Sequence, residues 1–376
     1  MHAAESAYTA KGRITVLHVI GGSTLDGGAN AFVIELLKSN WGTVDHAIWM
    51  HRNCTGGHTK NLPLIRHGWT SRVASSLWGD LCAAMLEAFP LIAWVKKQPC
   101  VILHAHSRVG IFASAIVNKL AGVPLLIHLH SLAGNPGVYR RVQKLTGARA
   151  AYNSTQTCRH YGSDPAQSSI IMPTTVWPLQ PAAIRGGARR FIAAGSFVRS
   201  KNFHLLIEAF KILQTEGLSA ELHIFGLSNP PLDPAFQKQI VCASEESKAI
   251  HLHHWDRNWT RHLGAEDVFV HLGQPESFGI VILEAFVLGC QLLVLQNSFL
   301  DELPAPINST GIHRVQALNV QQLAIEMRRT MQAAIGSHVN AAQLWEQRRS
   351  VSWLFSSDHS AALLMPIYES LARRAE

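Results

Sequence analysis

With 376 residues, 47% of them hydrophobic and 15% charged, the chain is too apolar for a disordered protein and longer than one core usually serves, so two domains are expected. The net charge of +8 is uneven: residues 1–185 hold 17 Lys+Arg against 7 Asp+Glu, and residues 186–376 hold 16 against 18. A basic half suits phosphorylated substrates or anionic headgroups, whereas no RNA-recognition aromatic pair or helix-turn-helix supports nucleic acid as a partner.

The N-terminus MHAAESAYTAKGR lacks the charged-then-apolar order of a secretory signal, and a cytoplasmic protein is expected. RITVLHVI (13–20) predicts a buried strand, GGSTLDGGAN a glycine-dense loop and AFVIELLKS a helix. The apolar window LCAAMLEAFPLIAWV (81–95) carries Glu87 and Pro90, which predicts that it is too short and interrupted to span a bilayer. VILHAH (101–106) and PLLIHLH (124–130) are buried-strand runs on either side of the helix VGIFASAIVNKLAG. The stretch LQPAAIRGGARR (179–190) breaks the periodicity and reads as a linker. Strand, loop and helix then restart with RRFIAAG, SFVRSKN and FHLLIEAFKILQ (203–214). ELHIFG, AIHLHH, DVFVHLG and QLLVLQ repeat the strand role, and SAALLMPIYESLARR (360–374) predicts a last helix with a kink at Pro366.

Two Rossmann-like beginnings imply an α/β chain of two doubly wound parallel-sheet domains. The expected division is 1–180 and 186–350, with a C-terminal helix at about 358–376 packing back on the first domain. Six cysteines lie scattered without a C-x-x-C pair and read as reduced thiols rather than a zinc ribbon or a disulfide framework. The pairs His104-x-His106 and His128-x-His130 each share one face of a strand, as metal ligands can. No third carboxylate or cysteine is spaced to complete such a site, and no metal is expected.

The strongest chemical signal is QPESFGIVILEAFVLG (274–289). Glu276 precedes a helix whose first turn offers the free amides of Phe278, Gly279 and Ile280 to a phosphate. Glu284 falls about two turns in, at a depth that suits a bidentate grip on vicinal hydroxyls. His251, His253 and His254 read as strand-end structure or as surroundings of a nucleotide base.

The frame E-x-F-G-x-x-x-x-E-A formed by these residues resembles that of retaining glycosyltransferase family 4. GSFVRSKNFHLLIEAF (195–210), GGSTLDGG and HAHSRVGIFASAIVNKLAGVPLLIHLHSLAG (104–134) extend the resemblance over nearly the whole chain. It implies a GT-B fold, with two Rossmann-like domains facing a central cleft, and transfer of a sugar with retention from a nucleotide-diphosphate-sugar. By resemblance Glu284 binds the donor ribose, Glu276 lies by the donor sugar near the reacting carbon, Lys201 meets the diphosphate, and His130 sits near the donor sugar. Gly21 and Gly22 belong to the glycine-rich loop that faces the donor phosphates and the acceptor.

The chain departs from the family pattern at Ser196, where the family carries a phosphate-binding arginine, and at Thr174-Thr175 and Gln291. Arg199, three residues after Ser196, is the expected substitute donor to the diphosphate. No metal or other cofactor is required where a lysine and a helix N-terminus neutralise the departing diphosphate. The acceptor is expected to be a glycan, lipid-linked, in bacterial surface polysaccharide synthesis. Arg66, Trp69, Arg72 and Trp78 would form a basic-aromatic patch for an anionic membrane surface if that stretch is helical. The alternative is a catalytically silent GT-B protein that scaffolds a polysaccharide assembly complex.

Overall fold

A computed structural model describes residues 13–21, 28–51, 64–68, 77–185, 189–295, 299–336 and 341–374. The chain divides into two compact units, Met1–Thr175 with Leu354–Glu376, and Val176–Trp353.

In the first unit the chain order is β1 (Ile14–Val19), α1 (Gly28–Leu36), β2 (Val44–His51), β3 (Leu64–Gly68), α2 (Leu77–Val95), β4 (Val101–Ala105), α3 (Arg108–Ala121), β5 (Leu125–Leu129), α4 (Pro136–Thr146), β6 (Arg149–Tyr152), α5 (Thr155–His160) and β7 (Ser169–Ile170). The strands form one sheet in the order β3-β2-β1-β4-β5-β6-β7. Every pairing in it is parallel. The second unit holds β8 (Arg189–Ala194), α6 (Phe203–Thr215), β9 (Ala220–Leu227), α7 (Pro234–Glu245), β10 (Ile250–His254), β11 (Val268–His271), α8 (Ile280–Val287), β12 (Gln291–Leu295), β13 (Ile312–Val315), α9 (Val320–Gly336) and α10 (Ala341–Arg349). Its sheet, in the order β10-β9-β8-β11-β12-β13, is again parallel. The last helix, α11 (Ser357–Ala372), belongs to the first unit and runs through Pro366.

Parallel strands need helical crossovers, which cover both faces of each sheet and explain the near-continuous apolar strands. On one face of the first sheet Leu17, Val19, Leu103, Ala105, Ile127 and Leu129 pack against α2 and α3 through Ala84, Ala88, Leu91, Phe112 and Val117. On the other, Val16, Ile48, Ile102 and Leu126 meet Phe32 and Leu36 of α1 and Leu364, Tyr368 and Leu371 of α11. Removing such a side chain from water contributes roughly 1.5–3 kcal/mol each. Local chemistry sets the turns between. Ser107 caps α3 by accepting the Gly110 amide at 3.1 Å, and Gly122 closes that helix in the left-handed region at φ 69°.

The apolar window of residues 81–95 corrects the expectation drawn from it. It belongs to α2, 19 residues long, which by length and composition is apolar enough to cross a membrane. Its polar residues nevertheless point into the unit. Asp80, fully buried, accepts from Arg108 at 2.8 Å, and buried Glu87 accepts from the Trp49 indole. Trp78, Met85, Leu86 and Phe89 line the opposite, exposed face.

The expected basic-aromatic helical patch is corrected too. Arg66 lies on strand β3, because LIRHG pairs in parallel with β2, while Trp69 and Arg72 lie outside the described residues.

Candidate active site of the second unit

Two loops at the carboxyl ends of adjacent strands build the site, the place where open α/β sheets bind ligands. The loop after β8 turns through the short 3-10 segment Arg199–Lys201 into Asn202, which adopts φ 56°. From that conformation the Asn202 side-chain amide donates to the Leu272 carbonyl at 2.7 Å. The Gln274 backbone N–H donates back to the Ser200 carbonyl at 2.8 Å. These cross-links stitch the β8–α6 loop to the β11–α8 loop and bring Lys201 and Glu276 together across 75 residues of sequence.

Lys201 Nζ lies 2.5 Å from Glu276 Oε2, and His271 Nε2 lies 3.0 Å from the same oxygen. Burial pushes the Glu276 carboxyl up, but hydrogen bonds and charge from His271 and Lys201 outweigh it and hold the group at about 2. Glu276 is therefore ionised at neutral pH. Close packing demands glycine beside it: a Cβ on Gly273 would approach His271 Nε2 to 2.6 Å and Glu276 Oε2 to 3.1 Å. At Gly279 the left-handed φ of 85° opens α8, and a Cβ there would meet Ile282 at 2.6 Å. Phe278 is buried and stacked on Phe299 at 4.4 Å, which fixes the backbone at the helix entrance where the amide of Ile280 begins the first turn.

Glu284 sits deeper on α8 and accepts from the indole N–H of buried Trp259 at 2.7 Å. Burial raises its carboxyl to about 7 against the pull of the Trp259 hydrogen bond and the charge of Arg257. Beyond Trp259, the Phe225 ring stacks between His253 at 4.4 Å and His262 at 5.0 Å. Phe225 and His253 stand near the ends of β9 and β10, and His262 closes the 3-10 segment Trp259–His262.

Ser196 is exposed, and so is Arg199, whose guanidinium lies 5.7 Å from the ring centroid of Phe236 on α7. Within the second unit the structure thus joins Lys201 and Glu276 and directs Arg199 onto an aromatic face. Gly226, near the end of β9, has a packing role. A Cβ there would come within 2.0 Å of the Gly195 carbonyl.

Residues 180–339 match the profile of the family described as Glycosyl transferases group 1. The second unit is a group 1 glycosyl transferase domain. No curated sequence matches the chain. Among solved structures, the chain is similar to sucrose-phosphate synthase from Thermosynechococcus elongatus, at 16% identity and a TM-score of 0.75 over 96% of this chain and 100% of that one. It is similar to Anabaena Alr3699/HepE in complex with UDP-glucose, at 15% identity and 0.72 over 95% and 99%. It is also similar to WaaG, a glycosyltransferase involved in lipopolysaccharide biosynthesis, at 14% identity and 0.63 over 93% and 99%. At these identities the likeness establishes the GT-B fold and its two Rossmann-like domains.

Two partners in the group 1 domain escape a linear reading. His271 closes β11, where it reads as a strand residue, and Trp259 reads as an ordinary core aromatic. The signal for His271 was its place five residues before Glu276 at a strand end, the usual position of site residues in such sheets.

The first unit places the remaining candidates. A Cβ on Gly21 would lie 2.8 Å from Ser107, so this glycine lets β1 pass the cap of α3. Gly22 lies outside the described residues. His130 follows β5 with Nε2 3.0 Å from His106 Nδ1, and burial lowers its imidazole to about 3, so it is neutral at physiological pH.

Proposed function

We propose that the protein is a retaining glycosyltransferase moving a hexose-type sugar from a nucleotide-diphosphate-sugar to a lipid-linked acceptor glycan in bacterial surface polysaccharide synthesis. The observation that carries this reading is the ionised Glu276 held between Lys201 and His271 at the entrance of α8, with Glu284 on the same helix. Lys201 and the amides of Phe278, Gly279 and Ile280 form the cradle for the donor diphosphate, opposing its negative charge with one cation and a helix N-terminus. Glu284 takes the ribose hydroxyls, and Glu276 faces the donor sugar. A neutral His130 serves as a hydrogen-bonding partner of the sugar and not as a general acid. Ser196 contributes a hydroxyl at most, and Arg199 reaches the diphosphate by leaving the Phe236 ring. The solved structure of the Anabaena neighbour with UDP-glucose and the lipopolysaccharide role of WaaG support a sugar nucleotide and a surface glycan as substrates.

The transfer step takes its charge neutralisation from these groups and no divalent metal. The product linkage, read by NMR, is expected to keep the donor's anomeric configuration, and EDTA is expected to leave turnover intact. An inverted product refutes the reading. A silent scaffold would bind the donor yet release no nucleotide when acceptor is added.

The exposed row Trp78, Met85, Leu86 and Phe89 on α2, followed by Lys96 and Lys97, supports peripheral attachment of a cytoplasmic protein to an anionic inner membrane face. Liposomes with anionic lipid are expected to bind the protein at least about tenfold more tightly than neutral ones at low salt, each basic residue near the surface contributing about 1 kcal/mol. A Phe89→Asp variant should lose that binding; equal binding to both liposomes would rule the attachment out.

A further inference from the structure

Four adjacent strands of the first sheet, β2, β1, β4 and β5, carry histidines on the face covered by α1 and α11. Strand periodicity and parallel register put them there: His18 stands opposite His104 on β4 and Ile48 on β2, while His46 stands opposite Val16, two residues from His18, and the alternation of side chains sets His46, His106 and His128 on the same face as His18. His18 and His104 are wholly buried and His106 is 4% exposed. One ring nitrogen from each of these three comes within 4.8 Å of the others.

Every second nitrogen in the trio has its own partner. His18 Nε2 meets His46 Nδ1 at 2.9 Å, His106 Nδ1 meets His130 Nε2 at 3.0 Å, and His104 Nδ1 meets the Tyr368 hydroxyl of α11 at 2.8 Å. Inward, His18 Nδ1 and His106 Nε2 face each other at 3.0 Å, and His104 Nε2 is buried without a hydrogen-bond partner. A buried polar nitrogen without a partner costs free energy that the fold alone does not recover. Ligating histidines characteristically send their other ring nitrogen to an orienting partner, which is the arrangement of all three.

We propose that His18, His104 and His106 form a transition-metal site of the zinc class in the first unit, with His46, His130 and Tyr368 as its orienting shell. The ligating nitrogens are His18 Nδ1, His104 Nε2 and His106 Nε2. Around a tetrahedral ion at about 2.0–2.1 Å, ligand nitrogens stand about 3.3 Å apart. The facing pair opens slightly to reach that spacing, and His104 closes on it by rotation about its broad terminal torsion. Burial and the neighbouring imidazoles hold all three below the usual imidazole range, and the neutral ring is the form that binds metal. With the ion in place, each outer nitrogen keeps the proton and donates outward, His18 to His46, His104 to Tyr368 and His106 to His130. That fixes the His130 tautomer with its proton on Nδ1. The linear reading lacked a third ligand near His104 and His106; His18, 86 residues upstream of His104, supplies it. The ion would brace β1 against β4.

The test uses the full chain stripped with dipicolinate, desalted and titrated with Co2+. One tight equivalent per chain with the visible bands of a low-coordinate nitrogen site, displaced by one equivalent of Zn2+, is the expected result. His104→Phe should weaken that equivalent by at least about 100-fold, and Tyr368→Phe, which keeps all three ligands, by about tenfold or more. The half-buried set Glu221, His223 and His251 in the second unit offers a competing location, so His223→Ala should leave the tight equivalent unchanged. Absence of a tight equivalent in the wild type, its retention in folded His104→Phe, or its loss in His223→Ala would overturn the assignment. If His104→Phe does not fold, the Tyr368→Phe affinity and the wild-type Co2+ spectrum decide.

Discussion

Glu276→Gln is expected to lower kcat by at least about 100-fold with a small change in donor KM, the range that losing one preorganised charged group at a reacting centre produces. The substitution preserves shape and removes the charge that Lys201 and His271 converge on. Stability moves as well, and the sign follows from the depressed acidity. The Glu276 carboxyl contributes stability above its unfolded value near 4.5, and that contribution disappears as pH falls through about 2. At pH 7 the variant forgoes all of it, so kcat must be measured per folded molecule, with Tm recorded in parallel. A variant with wild-type kcat would remove Glu276 from the mechanism.

The second large effect belongs to Glu284, whose carboxyl is raised to about 7 in the folded protein. A raised acid binds its proton more tightly when folded, so its effect on stability is neutral below the unfolded value near 4.5. The destabilising effect then grows until pH passes about 7. Converted at 1.36 kcal/mol per pH unit, the full penalty above pH 7 is about 3 kcal/mol. Glu284→Gln, which mimics the protonated form and can still accept from Trp259, is expected to match the wild type at pH 4 and to exceed its stability by about that amount at pH 8. Donor binding should run the opposite way. Ribose hydroxyls donate to an ionised carboxylate, so donor affinity falls about tenfold per pH unit below 7, and Glu284→Gln abolishes that dependence while weakening binding at pH 8. Calorimetric donor titrations between pH 5.5 and 8.5 give the answer; a flat wild-type profile excludes Glu284 from the ribose.

The two carboxylates and Lys201 were legible because their spacing is local. A glutamate before a glycine-opened helix, a second one eight positions on and a lysine in a strand-to-helix turn are set by a few consecutive residues. The acidities of the two glutamates were not legible. They come from opposite surroundings, an imidazole and an ammonium at one and an indole in a buried pocket at the other; His271 stands at the strand end just before Glu276, but Lys201 and Trp259 arrive from other loops.

The sequence by itself determined two doubly wound parallel sheets and the strand-to-helix turns that hold the phosphate-binding candidates, because apolar periodicity, glycines and caps act over a few residues. It also determined which face of its strand each histidine shares, since side chains alternate with period two. Only the tertiary structure decided which strands are neighbours. The order β2-β1-β4-β5 sets His18 beside His104 and turns isolated His-x-His pairs into a buried cluster, and the cross-links from Asn202 and Gln274 set Lys201 against Glu276. Strand order and loop docking are fixed by burial of whole faces, a property of the assembled unit that no short stretch of residues contains.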